Sequence, residues 1–316
     1  MKRIDEILLR ISESVASWQI DHIGQRNFVI VLSFFVGLIS GLAAVLLKLF
    51  VGFVKWFVVD NFSNLSYNVL LLVCPIIGIL ITFLYVKYFV KDNLGHGVTK
   101  ILYAISKRGS NIKRHHSYSS IIASSFTIGF GGSVGAEAPI ALTGASLGSN
   151  IGKLFRMDYK TITLLIACGA AGGIAGVFKA PIAGMIFTLE ILMLNLTLAS
   201  IIPLLVSAIT ATSVTYYFLG RDVEFSFSHG MPFVMENIPY YIVFGIFTGL
   251  VGLMFSRGLW MYEKWIGHFK NSYVKWIIGG ATLGVLIFFF PPLYGEGYST
   301  ITQLLSNNPN EIINNS

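Results

Sequence analysis

Glu137 is the only charged residue between Gly129 and Gly152, in the run G-F-G-G-S-V-G-A-E-A-P-I-A-L-T-G-A-S-L-G-S-N-I-G. Small and apolar residues flank it on both sides. An ionised carboxylate in such surroundings must protonate, find a donor or face water. Pro139 follows two residues later, and Pro suits the first turn of a helix. The expected local form is a glycine-rich turn, then Glu137, then a helix beginning near Ala138. A helix start offers free backbone N–H groups and the positive end of a dipole. Together these make an anion site with an acid beside it. The glycines have a structural reading as well: Gly131 with Gly135, and Gly144 with Gly148, are spaced as in touching transmembrane helices.

A second broken element comes earlier. Residues 94–106, L-G-H-G-V-T-K-I-L-Y-A-I-S, are too few to cross a bilayer. Two glycines open the run and a short helix is expected after them, again with its N-terminus inward. Gly95, His96, Gly97 and Val98 make up this turn and helix start, and Gly135, Ala136, Glu137 and Ala138 the other.

Composition decides where these turns sit. The 316 residues are 54% hydrophobic and only 12% charged, about half the charged share of a soluble domain. The chain is therefore expected to be an all-α polytopic membrane protein with broken and half-spanning helices. Its net charge of +7 does not point to nucleic acid, because the basic residues flank apolar runs. Cys74 and Cys168 lie in apolar segments and imply neither a disulfide framework nor a metal site.

Crossings are expected at residues 28–57, 68–90, 160–178, 198–219, 238–260 and 275–293. Shorter apolar pieces fall at 117–130, 138–152 and 181–194, the last containing Glu190. Residues 1–22 read as an amphipathic helix at the membrane surface or under the bundle. The loop 107–116, K-R-G-S-N-I-K-R-H-H, is basic and belongs on the cytoplasmic side. His115 and His116 read there as solvated polar residues rather than zinc ligands. The more acidic stretch 221–236 fits the outer face.

The chain also repeats itself. Gly37 and Gly41 match Gly245 and Gly249 at an offset of 208, and Gly78 matches Gly284 at 206. Gly95 and Gly97 match Gly295 and Gly297 at 200. One copy begins on the basic side and the other after the acidic loop, which makes the repeat inverted, as in secondary transporters. The expected organisation is 1–22, a first repeat over 23–220, the outer loop 221–236, and a second repeat from 237 to 316. Residues 117–219 have no counterpart after Ser306, so a fragment, or a unit completed by a partner, is expected.

These residues resemble the CLC chloride channels and chloride/proton exchangers, from about residue 28 to 306. G-S-V-G-A-E-A-P is similar to the family's second anion-binding motif. F-K-A-P-I-A-G-M-I-F-T-L-E, residues 178–190, is similar to the helix that follows it. G-H-G-V-T, residues 95–99, is similar to the first motif. The resemblance implies that Glu137 is the gate and proton acceptor. It places His96 at the position of a serine that contacts the central anion, with the backbone around Gly97, Val98, Ala136, Glu137 and Ala138 lining the path. It makes Glu190 a possible element of a proton path. Ile191, though, stands where exchangers often carry an inner glutamate.

The implied ligand is chloride, with no cofactor, in a homodimer of the inner (plasma) membrane whose N-terminus is cytoplasmic. No enzymatic activity is expected. Two other readings stand beside this one. G-A-S-L-G, residues 144–148, fits a serine-hydrolase elbow with Ser146 as nucleophile, but that pattern needs a strand–turn–helix setting and a histidine base. A truncated chain could also conduct nothing.

Overall fold

The computed structural model describes residues 24–62, 67–92, 97–192, 198–221, 225 and 234–305. The amphipathic segment 1–22, Gly95, His96 and most of the outer loop lie outside the described residues. Among those residues the elements are helical, with no strand.

In chain order the helices are α1 (Gln25–Phe62), α2 (Tyr67–Tyr85), α3 (Gly97–Lys107), α4 (His116–Gly129), α5 (Glu137–Leu154) and α6 (Tyr159–Phe178). Then follow α7 (Pro181–Leu192), α8 (Leu198–Leu219), α9 (Ile238–Gly267), α10 (Ser272–Phe289) and α11 (Tyr298–Leu305). A π-helical turn, Val86–Val90, extends α2. Six segments are long and apolar enough to cross a membrane. All of the apolar runs expected to cross are among them. The short helices α3 and α11 are not, as their lengths of 11 and 8 residues require.

The body is organised around α6, in which every residue from Leu165 to Val177 is buried. Small residues allow this burial. A side chain at Gly144 would meet the carbonyl of Gly169, and one at Gly148 would meet that of Leu165. So α5 and α6 touch backbone to backbone, as the Gly144/Gly148 spacing anticipates. On the other side of α6, Gly37 and Gly41 of α1 lie against the backbones of Ser207 and Ala211 in α8. Hydroxyls bridge the same helices. Ser207 donates to the Cys168 carbonyl at 2.7 Å, and Thr212 donates to that of Ala175 at 3.1 Å.

Lys179 ends α6 in the left-handed region at φ 53°. That conformation favours Gly or Asn, and a lysine there needs a compensating role. Its Nζ donates to the carbonyls of Leu219 and Gly220, at 3.3 and 2.9 Å, and so caps the end of α8.

The two repeat counterparts α2 and α10 pack on each other. Gly280 and Gly284 lie against Ile76 and Leu72, and the Trp276 indole donates to the Ile76 carbonyl at 3.1 Å. In contrast, none of α9 is buried. Its counterpart α1 is pressed into α6 and α8. Gly245 and Gly249, the repeat mates of Gly37 and Gly41, have nothing within 4 Å among the described residues.

Candidate functional site

The expected turn before Glu137 is present. Helix α4 stops at Gly129, the chain reverses, and α5 begins at Glu137 itself, one residue earlier than expected. Gly131 carries φ +89° and its Cα faces the ring of Tyr294, so a side chain there would occupy that ring. Its carbonyl accepts the Gly295 N–H at 3.1 Å. Gly131 and Gly135 are therefore parts of this turn and not a helix–helix contact.

The Glu137 side chain folds back over its own helix start. A Cβ at Gly135 would overlap Glu137 Oε2, so a side chain there would push the carboxylate aside. The acid is half-buried. Tyr298, at the first position of α11, donates its hydroxyl to Glu137 Oε1 at 2.9 Å. The Tyr298 ring is held by Phe178, 5.8 Å away between centroids, and by Phe225 at 5.5 Å in an edge-on arrangement. Phe178 is the last residue of α6, which places the aromatic group at the end of the central helix.

Both half-helix starts meet here. Gly97 begins α3, and its Cα lies against the Ala138 carbonyl in the first turn of α5. A cavity of about 340 Å³ opens beside this contact, lined by Gly97, Val134, Ala138 and Pro139 and by the hydroxyl-bearing Thr82, Ser120, Ser124 and Thr127. Among the described residues, Ser120 Oγ is buried without a hydrogen-bond partner. The chemistry available is anion coordination by the backbone N–H groups of helix starts and by hydroxyls, beside a carboxylate that is itself an anion.

Sequence-predicted residues are thus placed as follows. Gly97 and Ala138 touch, and Gly135 seats Glu137. Ala136 is buried just before it, and Val98 is half-buried on α3. Glu190 is exposed near the end of α7, and no hydrogen bond or ion pair joins it to Glu137 among the described residues. Ser146 is fully buried within α5 and donates to the Lys113 carbonyl at 3.1 Å. It contacts the hydroxyl of Ser117 at 2.9 Å, with no histidine bonded to it among the described residues. This helical setting removes the hydrolase reading: the hydroxyl stitches a loop to a helix.

Tyr298 was not singled out from sequence. Its signal lies in the repeat: at the offset of 200 that aligns Gly97 with Gly297, Val98 aligns with Tyr298. The second copy sends toward the acid the residue equivalent to one expected to line the path.

The basic loop also differs from expectation. Ser149 donates to the Ser110 carbonyl at 2.8 Å and Lys153 Nζ to that of Ile112 at 3.0 Å. His116 is 4% exposed rather than solvated. Lys113 donates to Asp92 at 2.8 Å and holds that carboxyl down at about 2. Burial, with His115 and Lys100 nearby, lowers His116 to about 4.

Residues 77–314 match the family model described as voltage gated chloride channel. The putative chloride channel protein ClcB-like of Ralstonia nicotianae is 29% identical, over 74% of this chain and 56% of that protein. The H(+)/Cl(-) exchange transporter ClcA of Vibrio vulnificus is 25% identical over 96% of this chain and 68% of that protein. The chain thus spans about half to two thirds of the length of these curated relatives.

Two solved structures share the fold. One is a slow cyanobacterial Cl-/H+ antiporter, with a TM-score of 0.77, 23% identity, and coverage of 90% of this chain and 69% of that one. The other is a CLC-type fluoride/proton antiporter, with a TM-score of 0.76, 25% identity, and coverage of 90% and 71%.

Proposed function

The chain belongs to the voltage-gated chloride channel family, and from that premise we propose that it is an integral membrane protein carrying chloride or a similar small anion along a pathway gated by Glu137. The observation that carries this reading is the seat of the Glu137 carboxylate. It rests at a half-helix start, over Gly135, under a hydroxyl donated by Tyr298. In that seat the ionised side chain takes the place of a transported anion. Protonation, or competition from chloride, releases it and clears the site. The starts of α3 and α5 supply the backbone donors, through Gly97, Val98, Ala136, Glu137 and Ala138. Gly95 and His96, outside the described residues, are assigned to the same pathway from the resemblance of their motif.

Transport is passive or coupled to protons. Ile191, at a position where exchangers of the family often carry a glutamate, favours loose coupling, with Glu190 as the nearest acid on α7. Reconstituted chloride efflux recorded together with pH in the vesicle lumen distinguishes the two modes.

A complete pathway in this reading needs helices packed on α9. In the first repeat, α1 is covered by α6 and α8. The equivalent face of α9, with Gly245 and Gly249, is open among the described residues. We assign that face to counterparts of α6 and α8 in the complete transport unit. Homodimerisation, placement in the inner membrane and a cytoplasmic N-terminus belong to the same proposal. Cross-linking of the reconstituted protein and protease access from each side test them.

A further inference from the structure

Away from the gate, Asp92, His115 and His116 converge where the turn after α2 meets the start of α4. Asp92 Oδ2 lies 3.1 Å from His115 Nε2 and 3.8 Å from His116 Nε2. One ligand atom from each residue fits within 4.8 Å of the others. A tetrahedral zinc with bonds of 2.0–2.2 Å separates its ligands by roughly 3.3–3.5 Å, and the two measured edges bracket that value.

Two further observations point to a ligand. His116 is a buried imidazole whose Nε2 is turned to Asp92 at 3.8 Å, beyond hydrogen-bonding range, while its Nδ1, on the far edge of the ring, has no hydrogen-bond partner among the described residues. A buried imidazole nitrogen that faces a carboxylate without bonding to it leaves room for an ion between the two. His115 is already oriented: Ser119 Oγ lies 3.3 Å from its Nδ1 and leaves Nε2 directed at the carboxylate. Metal-bound histidines are held by outer partners in this manner.

We propose that Asp92, His115 and His116 form a binding site for a divalent first-row transition metal, Zn2+ being the representative ion. Two imidazoles and one carboxylate select such a metal over Mg2+ or Ca2+, which take oxygen ligands. The resident cation in the structure is the ammonium of Lys113, 2.8 Å from the same Oδ2, with Lys100 also close enough to act on Asp92. The Lys113 side chain is 52% exposed, so it can withdraw into solvent as the metal enters. A bound ion joins Asp92, two residues past the π turn, to the first turn of α4, which packs on the gate-bearing helix α5.

The test uses the full chain in detergent, stripped with chelator and titrated calorimetrically with ZnCl2 alone, with melting followed in parallel. The expected result is about one zinc per chain, a raised melting temperature and no heat from MgCl2. Asp92→Asn and His115→Gln each weaken zinc binding at least about tenfold. Lys113→Gln tightens it, because the competing ammonium is gone. His115 is only partly buried, so His115→Gln keeps the fold, and its apo melting temperature verifies this. No zinc binding by the parent, or parent-like affinity in both His115→Gln and Asp92→Asn, overturns the proposal.

Discussion

The hydroxyl of Tyr298 donates to Glu137 Oε1 at 2.9 Å across 161 residues of sequence, and through it the second repeat holds an acid that belongs to the first. Hydrogen bonds to charged acceptors contribute roughly 1.5–3 kcal/mol. In the proposed mechanism this bond keeps the carboxylate seated. Tyr298→Phe should therefore favour the open gate by about ten- to a hundredfold, at roughly 1.4 kcal/mol per tenfold. Chloride efflux from liposomes should be faster and should reach half its maximum at a higher pH than in the parent. A Tyr298→Phe profile superimposable on the parent's contradicts the latch.

Gly135 tests the seat itself. A methyl group at this position overlaps Glu137 Oε2, so Gly135→Ala must displace the carboxylate. Its efflux should resemble that of Glu137→Ala and lose most of its pH response. If Gly135→Ala retains the parent's pH profile, the acid does not gate from this position.

Packing predictions separate the two repeats. Gly148→Val places a side chain against the backbone of Leu165 at the core of α5 and α6. Overpacking of this kind costs about 1–3 kcal/mol or more, and the melting temperature should fall. Gly249→Val adds the same atoms to α9 where nothing among the described residues lies within 4 Å, and the purified chain should melt as the parent does. Size-exclusion profiles after graded heating compare the two, and equal melting would contradict the packing described.

Acid stability follows from the basic face. With an ordinary value of 6.5 in the unfolded chain and about 4 when buried, His116 binds fewer protons in the native state between those limits. Stability is then lost as pH falls from 6.5 toward 4. Asp92, lowered from 3.8 to about 2 chiefly by Lys113, adds a loss at still lower pH. Thermal melts in chelator should show the first decline in the parent and a flatter curve in His116→Gln. Parallel curves for the two proteins contradict this account of the buried imidazole.

Much of the fold was legible because apolar runs of bilayer length and glycine spacing are local signals. All six long crossings appear as helices, and α3 and α5 start at the glycine-rich turns where broken helices were expected. Gly144 and Gly148 make the close contact that their spacing implies. Long-range partnerships were not legible. Nothing in the neighbourhood of Tyr298 says that its hydroxyl reaches Glu137; only the repeat alignment with Val98 hints at it. The burial of His116 was missed because charge pattern reports a loop's side of the membrane and not how tightly that loop is stitched to α5. Ser146 looked like a nucleophile by pattern, whereas its helical setting makes it part of that stitching. The role of Lys179 as a cap for α8 required the ends of two helices to be seen side by side.

The central claim is that Glu137 occupies the anion's place and leaves it on protonation. Its most direct test is chloride efflux from liposomes containing the parent, Glu137→Gln or Glu137→Ala, recorded from acid to neutral pH. The account predicts that efflux by the parent rises as pH falls, while both variants run at a rate that no longer depends on pH. Variants that keep the parent's pH profile would contradict it.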